Sequence, residues 1–105
     1  NLVAFSLLKE IHFRKDVLGE NFDIFYLKNK QHKEIDFVVT KNKKPHLLIE
    51  VKESDDTPSE NFKIFSDHFK DTAKIQLVRN IMTKKLTKDG ILICPAHDWL
   101  AKMDF

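Results

Sequence analysis

Apolar residues recur at helical spacing at the start of the chain. Residues three and four positions apart lie on one face of a helix, so this spacing predicts a helix over residues 2–18. Gly19 is its predicted stop, because glycine readily adopts the left-handed conformation that ends many helices. The apolar face consists of Val3, Leu7, Leu8 and Ile11.

Shorter segments further along the chain alternate or concentrate apolar residues, and they are rich in β-branched and aromatic side chains. Both features predict strands. The predicted strands cover residues 22–28, 34–40, 46–52, 74–79 and 90–95. The second and third of them are joined by the turn sequence "KNKKP".

A second helix is predicted between the third and fourth strands. Thr57 and Glu60 have the spacing of a capping box, and Pro58 between them suits the first helical position. An apolar face of this helix is predicted to pack against the sheet, and it consists of Phe62, Phe65 and Phe69.

The element order is helix, three strands, helix, two strands and a short C-terminal helix in "HDWLAKM". Strands and helices in this order predict an α/β sandwich around a mixed sheet. The length suits one domain, residues 1–105. The chain begins with Asn1 and not with Met, and a helical pattern is already under way there. We therefore expect an excerpt from the C-terminal part of a longer chain.

Composition narrows the class of protein without identifying it. Charged residues make up 32% of the chain and hydrophobic residues 42%, as in soluble globular domains. No apolar run approaches the roughly eighteen residues of a membrane helix, so we expect no membrane partner. The lone Cys94 fits a reducing, cytoplasmic setting. A net charge of +2 does not by itself predict nucleic-acid binding, although lysines cluster around positions 28–33, 41–44 and 84–88.

The hairpin "KEIDFVVTKNKKPHLLIEVK" carries charges where a strand pair usually keeps apolar side chains. If its turn lies at the middle of "KNKKP", Asp36 stands opposite Glu50, and Val38 stands opposite Leu48. Side chains two positions apart share a face of a strand, so Lys52 lies on the same face as Glu50. The pattern therefore predicts two carboxylates and an ammonium group on one side of the sheet.

Facing carboxylates repel each other, so a positive group is expected between them. Carboxylate oxygens are the ligands that Mg²⁺ and Mn²⁺ prefer, with water or phosphate oxygens completing the shell. Lys52 would then be close enough to orient an attacking water or to stabilise charge on a phosphate. These residues outline a hydrolytic phosphodiesterase site, with Asp36 and Glu50 as metal ligands.

The alternative is a solvated strand face on which the charged residues of the hairpin form weak surface pairs, Glu34 opposite Lys52 among them. Val38 and Leu48 lie on that same face, which is therefore apolar at one end and charged at the other. This description suits the edge of a cleft better than an open surface.

Two other groups of residues have less support as sites. The five histidines lack the spacing of zinc ligands. Cys94, His97 and Asp98 offer a nucleophile, a base and an acid. A cysteine at the end of an apolar strand, directly before Pro95, is more typical of a buried and inert thiol.

The element Asp36, then a hairpin, then Glu50-Val51-Lys52 resembles the PD-(D/E)xK signature of the restriction-endonuclease-like superfamily. Ile35 stands where the signature has its proline, which is a common variation. More narrowly, "FYLKNKQHKEIDFVV" followed by "LLIEVK" resembles a C-terminal domain of unknown function. That domain follows an AAA-type ATPase module in many bacterial and archaeal proteins, and the resemblance extends over nearly the whole chain.

This resemblance implies a three-layer sandwich, with a mixed central sheet and helices on both faces, in the order αβββαββ plus a short C-terminal helix. It assigns metal binding to Asp36 and Glu50, and catalysis to these two acids and Lys52. It also implies an ATPase module in the same parent chain and a nucleic-acid substrate. The superfamily often adds an acid from the first helix, which we expect directly before "NLVAFSLL". Glu10 lies too far down the helix to replace it.

Three functions remain open from the sequence. The first is Mg²⁺- or Mn²⁺-dependent cleavage of phosphodiesters in DNA or RNA. The second is a catalytically silent accessory module that binds nucleic acid or a partner protein. The third is a purely structural domain, in which the charged residues of the hairpin are exposed and have no functional role.

Overall fold

The structure is a computed structural model that describes residues 2–105. Its strands are β1 (Phe22–Lys28), β2 (Glu34–Lys41), β3 (Lys44–Lys52), β4 (Ala73–Val78), β5 (Lys85–Leu86) and β6 (Ile91–Pro95). They form a six-stranded sheet in the order β1–β2–β3–β4–β6–β5. The β3–β4 and β4–β6 pairs are parallel and the other pairs are antiparallel, so the sheet is mixed, as predicted.

The α-helices of the described chain are α1 (Leu2–Asp16), α2 (Glu60–Ile64) and α3 (Ala96–Lys102), and a 3₁₀ turn covers Ser66–His68. The mixed α/β class and the order of the predicted elements are confirmed. The short strand β5 was not predicted, because a pair of residues is too short to show a period. None of the helices in residues 2–105 has the length and apolar content that crossing a bilayer requires.

The sheet separates two apolar cores. Leu47 of β3 lies in the core that contains Leu7 of α1 and Trp99 of α3. Leu48 lies in the other core, together with Phe62 of α2. Successive side chains of a strand point to opposite faces, so α1 and α3 cover one face and α2 covers the other.

Helix α1 buries a narrower stripe than the sequence predicted. Leu8 was expected to face the core, but 43% of it is exposed. The helix ends at Asp16, and Gly19 follows with a left-handed φ of 70°. The buried residues of the helix are Val3, Leu7 and Ile11.

The predicted capping box at the start of the second helix is wrong. Ser59 is the N-cap of α2, and its Oγ accepts a hydrogen bond from the Asn61 amide at 3.2 Å. Thr57 donates instead to Oδ1 of Asp55, from its amide at 2.9 Å and from its hydroxyl at 2.6 Å. Pro58 therefore lies in the turn before the helix and not at its first position. Thr57 is thus occupied by a neighbour in its own loop, which leaves Ser59 to cap the helix.

The phenylalanine stripe packs on the sheet as predicted, but with unequal burial. Phe62 is 1% exposed and Phe65 is 5% exposed. Phe69 is only partly buried at the edge of the same core. The difference arises because α2 ends at Ile64 and the chain continues as the 3₁₀ turn, which changes the direction of the last ring.

Candidate functional site

Strands β2 and β3 pair in the predicted register beyond Val39, although the turn itself is centred between Asn42 and Lys43 and not on Lys43. A bulge between Val39 and Thr40 makes up the difference. Phe37 pairs with Ile49, and Val38 pairs with Leu48. The turn is made by Asn42, with a φ of 53°, and Lys43, with a φ of 67°. Left-handed φ at both central residues is typical of the tight turns whose twist matches that of the flanking strands.

The carboxylate of Asp36 continues this pairing with its side chain. The backbone ladder between β2 and β3 runs as far as Phe37 and Ile49. Beyond it, Oδ2 of Asp36 accepts a hydrogen bond from the amide of Val51 at 2.8 Å. Asp36 is thereby held against β3, next to Glu50.

The side chain of Glu50 is buried on the face that α2 covers. Glu50 is 2% exposed. Its Oε1 accepts hydrogen bonds from Nδ2 of Asn61 at 2.9 Å and from Oγ of Ser59 at 3.2 Å. Burying a carboxylate is costly unless donors surround it, and these two donors offset part of that cost.

The environment of Glu50 raises its pKa to about 7. Burial is the largest cause, followed by a hydrogen bond between the Glu50 and Asp36 carboxyl groups. Asn61 and the positive charge of Lys52 act in the opposite direction. Near neutral pH the Glu50 carboxyl is therefore close to half protonated.

Lys52 ends β3 beside this pair and is half-buried. Its charge acts on Glu50, and it also contributes to a lowered pKa of Asp55, whose main causes are the hydrogen bonds from Thr57. A cleft of about 720 Å³ adjoins Lys52 and Arg79 at the carboxyl ends of β3 and β4, and its other walls come from α1 and α3. This cleft therefore lies on the face of the sheet opposite Glu50, and neither Asp36 nor Glu50 lines it.

The structure brings Asp36, Glu50 and Lys52 together, and their metal-binding and catalytic roles stay predictions. Glu34 does not face Lys52, because it pairs with Lys28 on β1, with Nζ and Oε1 3.9 Å apart. The two strands have already parted at that point, so the register of the hairpin no longer applies.

The described residues 2–105 contain no group of three or more histidine, cysteine, aspartate or glutamate side chains arranged to hold a metal ion. Glu10 is occupied elsewhere, since its Oε2 lies 2.7 Å from Nε of Arg14. The candidate donor set is therefore the pair of Asp36 and Glu50. Two carboxylates still fit Mg²⁺, which is usually bound through one or two of them together with water and substrate phosphates.

The hydrogen bonds also favour this fit. Protein donors act on Oε1 of Glu50 and on Oδ2 of Asp36. The second oxygen of each carboxyl group is then the one able to meet a cation. Because Asp36 is held against β3 at the residue after Glu50, one ion could meet an oxygen of each carboxyl group.

Three polar residues of the site were missed by the sequence reasoning: Ser59, Asn61 and Gln76. The first two hold Glu50, and the third is fully buried beside it on β4. The available signal was a glutamine inside the apolar run "KIQLV", where a buried polar side chain requires partners.

The inert role expected for Cys94 is consistent with its surroundings. The residue is 4% exposed, and burial is the main cause that raises the pKa of its thiol. The charge of Asp98 acts in the same direction. A raised pKa disfavours the thiolate, which is the nucleophilic form. His97 instead lies 3.1 Å from Asp98 at an exposed position.

The burial of Glu50 predicts a pH dependence of stability. The pKa is 4.5 in an ordinary environment and about 7 in the folded protein, a difference equivalent to roughly 3 kcal/mol. The folded state binds the proton more tightly, so this stabilisation is complete below about pH 4.5 and is lost as the pH rises to 7. Glu50→Gln should remove the dependence, because glutamine is neutral throughout.

Urea unfolding of the parent and of Glu50→Gln between pH 5 and 8, with a chelator present, measures this effect. The advantage of the variant over the parent should grow by about 2–3 kcal/mol across this range. Glu60→Gln, at an exposed position, is the matched control and should track the parent. A constant difference between parent and Glu50→Gln at all pH values would contradict the assigned environment.

The fold and the site define a mixed α/β domain whose sheet carries one buried carboxylate, Glu50, with Asp36 and Lys52 beside it. The chain belongs to the family described as a domain of unknown function, DUF4143, whose family model matches residues 1–99. No curated protein and no solved structure matches the chain. The broader part of the resemblance is thereby confirmed, namely that this is a domain of unknown function.

Proposed function

We propose that this domain is a PD-(D/E)xK nuclease-like module with the restriction-endonuclease-like fold, which hydrolyses phosphodiester bonds of nucleic acid with the help of Mg²⁺ or Mn²⁺. Asp36 and Glu50 hold the ion, and Lys52 assists the reaction. One observation carries the proposal: Asp36 is bonded to the amide of Val51, directly after Glu50, and each of the two carboxyl groups has one oxygen anchored by protein donors.

The roles follow from the chemistry of the bond. Hydrolysis joins a water oxygen to phosphorus and breaks the bond to the leaving oxygen, which takes up a proton. A divalent ion would supply positive charge for the phosphate and lower the pKa of a bound water. The ammonium of Lys52 can orient the attacking water or stabilise charge that develops on the phosphate oxygens. Lys52 ends β3 and is only half-buried, so a phosphate can approach its ammonium group from solvent.

The wider context is also a proposal. The likeness of "EIDFVV" and "LLIEVK" to the domain that follows an AAA-type ATPase module is the ground for placing such a module in the parent chain. An ATPase attached to this domain would couple nucleotide hydrolysis to movement or loading of the nucleic acid. A reaction on intracellular nucleic acid agrees with the cytoplasmic setting proposed from the lone cysteine.

A second function is favoured by a specific observation. The described residues offer two carboxylates and no larger cluster of ligands, and Glu50 is almost fully covered. These features also suit a catalytically silent accessory module that binds nucleic acid or a partner protein. In that module the acid pair would keep its proton, and binding would depend on the exposed lysines and weaken with salt.

Metal binding separates the two functions. With Mn²⁺ or Mg²⁺ at about ten times Kd, the free energy of unfolding should rise by about 1.4 kcal/mol, because the ion binds the folded state. Asp36→Asn should remain folded, since the asparagine oxygen can still accept from the Val51 amide. This variant should lose both the metal-induced rise in Tm and the heat of binding in calorimetry.

Asp71→Asn is the matched control, because Asp71 is exposed and precedes β4 at the end opposite Val78. It should respond to the ions as the parent does. Absence of any heat of binding by the parent at millimolar Mg²⁺ and Mn²⁺ would refute the nuclease proposal and leave the accessory module.

A further inference from the structure

Gln76 occupies the centre of β4 and is completely buried, with 0% of its surface exposed. In the parallel ladder it is the direct partner of Glu50 on β3. Its neighbours on the same face are apolar, among them Val78 and Ile93. A primary amide in such surroundings is costly unless both its donors and its acceptor are used.

The side-chain amide of Gln76 acts both as an acceptor and as a donor of hydrogen bonds toward one segment of the chain, residues 55–59. Its Oε1 accepts from the backbone amide of Ser59 at 2.8 Å. Its Nε2 donates to the carbonyl of Thr57 at 2.7 Å and to the carbonyl of Asp55 at 3.2 Å. These three bonds hold the segment over the sheet on its way from β3 to α2.

The end of this segment carries the donors that hold Glu50. Ser59 is fixed by Gln76 through its backbone, and its hydroxyl donates to Oε1 of Glu50 at 3.2 Å. The same hydroxyl oxygen accepts from the amide of Asn61. The side chain of Asn61 in turn donates to Oε1 of Glu50 at 2.9 Å. A continuous set of hydrogen bonds thus leads from Gln76 to one oxygen of the glutamate.

We propose that Gln76 is a positioning residue for Glu50: by holding residues 55–59, it directs Ser59 and Asn61 onto Oε1 and leaves Oε2 for a cation. The proposal deepens the metal-dependent function and rests on it for the role of Oε2. Only a side chain that accepts and donates at once satisfies the segment. Glutamate at this position would lose the donor, and a methionine of similar length would lose both.

The experiment compares Gln76→Met with Leu77→Ala, both as full-length protein. Leu77 is the next residue on β4, is fully buried and belongs to the core on the opposite face. It therefore controls for loss of stability from the same strand. Mn²⁺ affinity is measured by calorimetry. The environment of Glu50 is followed through the NMR signals of the Asn61 side-chain amide, a measurement that requires no metal.

Gln76→Met should weaken Mn²⁺ binding by about 10- to 100-fold, the usual effect of losing a group that orients a ligand. The Asn61 amide signals should move toward those of an exposed carboxamide. Leu77→Ala should lower Tm while leaving the Asn61 signals and the Mn²⁺ affinity within about twofold of the parent.

Unchanged Asn61 signals in Gln76→Met would overturn the proposal whether or not the protein binds metal. Equal losses of Mn²⁺ affinity in the two variants would also overturn it, since the effect would then be one of stability alone. If the parent binds no Mn²⁺, the metal-dependent function fails, and so does the role of Oε2. Displaced Asn61 signals would in that case still support the positioning of Glu50 by Gln76.

Discussion

Asp36→Asn is expected to abolish the Mg²⁺-supported cleavage of nucleic acid by the full-length protein. The substitution replaces one of the two candidate ligands with a neutral amide, while the hydrogen bond to the Val51 amide can be kept. Loss of activity would therefore follow from loss of the ion and not from unfolding. Far-UV circular dichroism and Tm of the variant verify that the fold is retained.

Lys52→Ala is expected to separate ion binding from reaction. Lys52 is not a proposed ligand, so the heat of Mn²⁺ binding should persist. Cleavage should fall by about 10²–10³-fold or more, the range seen when a group that stabilises transition-state charge is removed. Lys9→Ala, at an exposed position of α1 outside the lysine clusters, is the matched control and should cleave as the parent does.

Two results would contradict this assignment. Cleavage retained by Asp36→Asn would show that the activity belongs to another site or to a contaminant. A parent protein that binds Mn²⁺ but cleaves neither DNA nor RNA would have a metal site without turnover. The accessory function would then replace the nuclease proposal.

The second large effect concerns the core under α2. Phe65→Ala is expected to lower the free energy of unfolding by about 3–5 kcal/mol, the usual cost of deleting a buried phenylalanine. The ring is 5% exposed and packs in the core that contains Phe62 and Leu48. Helix α2 has only five residues, so its stability must come from this packing and not from helix propensity.

Chemical denaturation of Phe65→Ala beside Ile64→Ala tests this prediction. Ile64 is the preceding residue and is 43% exposed, so its truncation should cost much less. Because α2 also carries Asn61, a loosened helix should weaken the hold on Glu50. Equal denaturation midpoints for Phe65→Ala and the parent would contradict the packing of α2 against the core described above.

The elements that depend on local pattern were predictable. The alternation along β2 and β3 predicted that Val38 faces Leu48, although a bulge between Val39 and Thr40, which was not predicted, is what produces this register from the observed turn. This succeeded because the period of a strand is two, so that a shift of one residue would move every apolar side chain to the wrong face. The burial of Phe62 and Phe65 was also predictable from a period, because apolar residues three positions apart lie on the same face of a helix.

The site was predictable only in its charged residues. Their spacing was sufficient to place Asp36 beside Glu50, but it contained no information on burial. The hydrogen bonds that hold Glu50 come from Ser59 and Asn61, which follow a loop, and that loop is held by Gln76 on a different strand. Contacts between distant segments have no period along the chain, so no local pattern reveals them.

The sequence by itself determined the α/β class and the face on which the two acids lie, since these follow from the periods of strands and helices. The bulge that sets the final register of the hairpin was visible only in the structure. Only the tertiary structure decided that Ser59 and not Thr57 caps α2, because it places the Ser59 hydroxyl against Glu50 on the same face of the sheet. Only the tertiary structure raised the pKa of Glu50 to about 7. Desolvation depends on everything packed around a group, and that is a property of the folded chain.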